Sequence, residues 1–242
     1  MNIKSSFPVL LLMISTKINA LPYLTILGYQ DIYEGGAFYG MNAVDISGNG
    51  STVVGNMYTS DRYTTGEVSS WSLTTGVTSL GFSGIVGGIS ADESIITGTA
   101  SDNNIFRYTS EGLNFISIPN GISLMGAGAA NISADGSTIA GQTQINQGTI
   151  SFPSYSFESY IWTENSGVTF LPDINGNTFF ESVISGDGTI LAGWSDIGSD
   201  YHAFQWSEQA GFTDLGTIPD SNIFGHYYFY STLDIHTSSR VS

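Results

Sequence analysis

Few residues in this chain have the type and spacing to do chemistry. There are three histidines, His202, His226 and His236, and none pairs with another at a metal-binding interval. The chain has no cysteine, so a structural zinc site, which needs sulfur or clustered imidazole ligands, is not expected. Serine and aspartate are plentiful enough to place a Ser-His-Asp set by coincidence, but no Gly-x-Ser-x-Gly elbow presents a nucleophile. The segment Asp45-x-Ser47-x-Asn49-Gly50 imitates the start of a calcium loop. Its twelfth position is Asn56, where an EF-hand needs a bidentate glutamate. Glycoside hydrolysis needs two carboxyl groups about 5–10 Å apart around a sugar. The acids Asp135, Asp187 and Asp214 instead read as turn or strand-end residues. The sequence therefore predicts no catalytic residue, no metal site and no cofactor.

The aromatic residues are better candidates, for binding rather than catalysis. Tyr58, Tyr63, Tyr155 and Tyr201 fall in or beside variable polar stretches, as do Tyr227, Tyr228 and Tyr230 near the end of the chain. Exposed tyrosine next to serine and asparagine makes an adaptable surface for glycans or protein partners. Tyr160 is different. Like Trp71, Trp162 and Trp206 it occupies a fixed place in a repeat, so it is expected in the core.

That repeat is the scaffold that must position these residues. An Ile-Ser pair is followed nine residues after the Ile by a glycine at Ile46–Gly55, Ile89–Gly98, Ile132–Gly141 and Ile184–Gly193, with steps of 43, 43 and 52 between copies. Asn49-Gly50, Asp135-Gly136 and Asp187-Gly188 between apolar runs predict hairpins, with Asn or Asp and Gly both suited to positive φ. Asp92-Glu93 is the weaker version of that turn. Each hairpin leads through a variable loop to an aromatic strand, a turn and a final strand. Four short strands per unit of about 45 residues predict an all-β, propeller-like array of antiparallel repeats. The units span about 43–85, 86–128, 129–180 and 181–225, with partial strands at 24–29 and 231–236; a sheet shared by those two lacks its middle strands, so the sequence predicts an array with an incomplete closing unit. The longest loop, Gln142–Ser159, lies in the third unit. Insertion at one point per repeat puts the variation on one face of such an array, commonly the binding face.

Composition narrows the function classes. Residues 1–20 carry Lys4, an apolar run from Phe7 to Ile14 and a small residue at Ala20, the order of a secretory signal peptide. A mature domain of 21–242 would hold three arginines against 21 acidic residues, a net charge of −18. A mature domain so acidic and without lysine is a poor partner for nucleic acid or anionic lipid. No later apolar run is long enough to span a bilayer as a helix.

His202-Ala203-Phe204-Gln205-Trp206, followed by Gly211-Phe212-Thr213-Asp214-Leu215-Gly216-Thr217, resembles the HAF-type extracellular repeat. The Ile-Ser-x-Asp-Gly hairpins at Ile132 and Ile184 fit the same family, and the resemblance extends over about 24–235. Only the fourth unit keeps His-Ala-Phe. The resemblance implies a secreted or surface-exposed bacterial protein, often the passenger of an autotransporter from a Gram-negative cell, with no established catalytic residues. The expected function is a binding or adhesion module whose partner is a glycan or a surface protein. Two alternatives are a glycan-acting enzyme with acidic residues on one face, and a truncated passenger remnant without activity of its own.

Overall fold

A computed structural model describes residues 12–13, 24–25, 29–30, 39–58, 66–119, 124–125, 130–146, 155–172, 174, 180–197 and 200–217. These form antiparallel sheet throughout, with no helix among them. Of the expected signal peptide only Leu12–Met13 is described, as a short strand paired with Leu24–Thr25. Tyr29–Gln30 pairs with Tyr39–Gly40 at the edge of the first blade. The expected partial strand at 231–236 lies outside the described residues.

Four blades follow in chain order. The first contains Tyr39–Ile46, Thr52–Tyr58, Glu67–Ser72 and the beginning of Gly76–Ile89. The second contains the remainder of Gly76–Ile89, then Ile96–Ala100, Ile105–Thr109 and Gly112–Phe115. The third has Thr138–Asn146, Tyr155–Thr163 and Gly167–Phe170, with a broken first strand made of Leu124–Met125 and Asn131–Ile132. The fourth has Phe180–Ile184, Ile190–Ile197, Asp200–Ser207 and Gly211–Gly216. Blades one and two are continuous with each other. The 14-residue strand Gly76–Ile89 pairs with Glu67–Ser72 through Ser83 and with Ile96–Ala100 from Gly84 onward.

The repeat glycine has a structural cause. In three blades the first strand carries a β-bulge opposite it, between Ala43 and Asp45, between Val86 and Gly88, and between Phe180 and Val183. A bulged strand crowds its neighbour. A Cβ on Gly55 would lie 2.0 Å from the Asn42 carbonyl oxygen, and one on Gly98 would lie 2.1 Å from that of Ile85. Only a residue without a side chain fits there.

The blades bury one another through a consistent facing rule. Phe106 packs with Val54 and Val68 of the preceding blade. Tyr160 and Trp162 pack with Ile105 and Ile116, again of the preceding blade. Phe204 and Trp206 pack with Ala140 and Leu171. The fixed aromatic of each repeat thus faces backward along the chain, and period-two alternation sends its neighbours forward. On the first blade Trp71 packs with Val53, Met41 and Val77 of the same blade.

Candidate functional site

Strand register sorts every candidate residue to one of two ends of the blades. Ile96 pairs with Tyr108 and Thr138 with Thr163, so the hairpin turn and the outer turn of each blade share one end. Asn146 pairs with Tyr155 and Ile197 with Asp200, so the variable loops lie at the other.

At the turn end the four Ile-Ser hairpins form a linked row. Each serine N–H donates to a carbonyl five residues on, and the residue three after it donates back to the serine carbonyl, as in Ser133 with Thr138 and Gly136. Neighbouring turns then bond to each other: Gly48 N–H donates to Ala91 O at 3.1 Å, Ala91 N–H to Ala134 O at 2.8 Å, and Asp135 N–H to Gly186 O at 3.2 Å. Positive φ falls on Gly50, Gly136 and Gly188 alone in their turns, not on the Asn or Asp before them. This corrects the expectation that both residues adopt it. The acidic residue works through its side chain instead. Asp187 Oδ1 accepts from the Ser185 hydroxyl at 2.7 Å, the Thr189 N–H at 3.1 Å and the Thr189 hydroxyl at 2.8 Å.

These bonds hold the carboxylates in their charged form. The Ser90 hydroxyl lowers Asp92 to about 2, and the Ser185 hydroxyl lowers Asp187 to about 2. Asn49 plays the same part with its amide oxygen. In the second turn Glu93 takes the glycine position at φ 69°, and its carboxylate accepts from the Ser51 and Thr52 hydroxyls of the preceding turn. The calcium-like residues are engaged in the same way. Asp45 accepts from the N–H groups of Ile46 at 2.8 Å and Ile89 at 2.9 Å.

Beside this row, between the outer strands of blades two and three, lies an open groove of about 700 Å³. Arg107, the one Lys or Arg among the described residues, projects from blade two over the Trp162 ring of blade three, 4.8 Å from its centroid. Its Nη1 donates to Glu164 Oε2 at 3.3 Å, and Glu164 is 79% exposed. Its Nε is buried with no hydrogen-bond partner among the described residues. The sequence marks position 107 only as the middle of an aromatic strand. Its contacts lie 55 and 57 residues away, on another blade, where no local pattern points to them.

At the loop end stand the tyrosines. Tyr58 ends its strand opposite Gly40, and Tyr155 begins its strand opposite Asn146. Tyr201, the second residue of the third strand of blade four, lies opposite Asp196 and is 67% exposed. Its ring meets Trp194 edge to face at 5.1 Å. Three of the four candidate aromatics therefore share one end of the array. Tyr63, Tyr227, Tyr228, Tyr230, His226 and His236 lie outside the described residues. Tyr160 is core as expected, 1% exposed, and burial pushes its phenol well above its usual range. His202 lies along Phe204, and its Nδ1 is 3.0 Å from both carboxylate oxygens of Asp214. That contact ties the His-Ala-Phe strand to the strand beside it. Among the described residues no group of three His, Asp or Glu is placed to hold a metal.

No protein-family model and no curated protein sequence matches the chain. Solved structures do resemble it. TolB from Acinetobacter baumannii superposes with a TM-score of 0.51 at 17% identity, over 74% of this chain and 44% of that one. A putative TolB from Agrobacterium tumefaciens gives 0.52 at 14% identity, over 80% and 69%. A prolyl endopeptidase gives 0.54 at 11% identity, over 81% and 31%. The chain thus spans less than half the length of the first of these. At such identities the likeness is one of fold, a β-propeller type.

Proposed function

We propose that this chain is an exported or surface-held binding module that meets a glycan or a surface protein through the loop end of its blades. The observation that carries this reading is Tyr201. It is an exposed phenol braced by Trp194, at the same end as the strands bearing Tyr58 and Tyr155. Rigid aromatic side chains give contact area at low entropic cost. The turn carboxylates support a non-catalytic role, since each directs an oxygen into its own turn. Kinship with HAF-type repeats and export through residues 1–20 belong to the same proposal and rest on sequence resemblance.

The test is binding of the purified chain and its Tyr201→Ala variant to an array of glycans and surface proteins. The expected result is retention of the wild type on a discrete set of spots and at least a tenfold loss for the variant. Equal retention of the two removes the loop end from the function.

A further inference from the structure

We propose a second ligand site, independent of the loop end: the groove between blades two and three binds a neutral saccharide. Its polar groups are of both kinds. Arg107, which lines the groove and is partly exposed, supplies guanidinium N–H donors. Glu111 and Glu164 supply acceptors on the rim, and the Ser94 and Ser117 hydroxyls and the Asn114 amide can both donate and accept. A ligand that satisfies this set must donate and accept at closely spaced oxygens, as vicinal sugar hydroxyls do.

Charge narrows the class further. An anionic sugar would approach two carboxylates on a chain of net charge −16, while a cationic one would meet Arg107 in the groove. Neutral rings avoid both costs. Ile95, Ile116 and Trp162 also line the groove and give it an apolar component beside the polar one. The volume of about 700 Å³ falls within the range of about 300–1,000 Å³ of known small-molecule sites.

Arg107 also joins two blades, so a purely structural role must be separated from a binding one. Two variants do this. Arg107→Met removes the donors and keeps an aliphatic stem. Ser117→Trp leaves Arg107 in place and fills the groove from an exposed position. Leu73→Ser, on the first blade and 73% exposed, is the control. Each is titrated by calorimetry with neutral oligomers of hexose, N-acetylhexosamine and deoxyhexose, with a uronate oligomer and with a glucosamine oligomer, and thermal melts verify folding. The expected result is saturable binding of at least one neutral oligomer, weakened at least tenfold in both groove variants and unchanged in the control, with no binding of the charged oligomers. Binding of no neutral oligomer, binding of the uronate or glucosamine oligomer instead, or undiminished binding by Ser117→Trp overturns the proposal.

Discussion

Replacing Gly98 with alanine is the sharpest test of how the blades are built. The added Cβ would lie 2.1 Å from the Ile85 carbonyl oxygen and 2.7 Å from Cε1 of Phe106. Ordinary contact begins near 3.4 Å, so a gap of about 1.3 Å must open. Neither neighbour can yield easily. Ile85 is backbone in a ladder bonded to Ile96–Ala100, and the Phe106 ring is fully buried in the core between blades one and two. Overpacking costs about 1–3 kcal/mol, and a clash with backbone on one side and a fixed ring on the other belongs at about 3 kcal/mol. For a chain of this size that lowers Tm by about 6–12 °C. Gly76→Ala is the matched comparison. Gly76 has φ +65° with nothing within 4 Å of its Cβ position, so alanine there adds only backbone strain of about 1 kcal/mol. Urea unfolding of both variants gives the comparison directly. A Gly98→Ala cost no larger than that of Gly76→Ala would refute the bulge-and-glycine account.

Three further outcomes are expected. The folded Asp187 carboxyl titrates at about 2 against an ordinary 3.8, so its stabilisation is complete above about pH 4 and is lost as pH falls toward 2. Asp187→Asn keeps the acceptor oxygen, as Asn49 does naturally, and melts between pH 5 and 2 should then show a shallower acid decline than the wild type. Tyr160→Phe removes a buried hydroxyl that has no partner among the described residues, and should leave stability unchanged or raise it by up to about 1 kcal/mol in urea; a loss larger than that would reveal a bond to the phenol. Glu93→Ala keeps the positive φ while deleting the acceptor for Ser51 and Thr52, costing about 1–2 kcal/mol. Glu93→Gly relieves the backbone at the same time and should be less harmful in the same assay.

Much of the architecture was legible because it is local. The Ile-Ser pair, the Asp-Gly turn and the glycine nine residues on are one hairpin, and their recurrence counts the blades. Trp162 and Trp206 were recognisable as core because period-two strands put large residues at a fixed register on the same face. The rest depends on pairs far apart in sequence. That the repeat glycine opposes a bulge could not be read, since the bulge at Val86–Gly88 has no residue signature of its own. Asp92 and Asp187 were legible as turn residues but not as side-chain acceptors, because the same dipeptide serves either geometry. Glu93 at positive φ is intelligible only once the neighbouring turn brings Ser51 and Thr52 to it. Arg107 was hidden for the same reason, as its importance comes from Trp162 and Glu164 on the next blade. Of the residues proposed for binding, the common end of Tyr58, Tyr155 and Tyr201 follows from their place at variable loops, whereas the brace from Trp194 to Tyr201 follows from register across blade four.

The central claim, that the chain binds without turning over what it binds, is tested most directly by one array read twice. Retained chain is measured first, and the spots are then analysed by mass spectrometry for cleavage. The account predicts retention on a discrete set of glycans or surface proteins, all left intact. Retention nowhere, or shortened glycans where the chain was held, would contradict it.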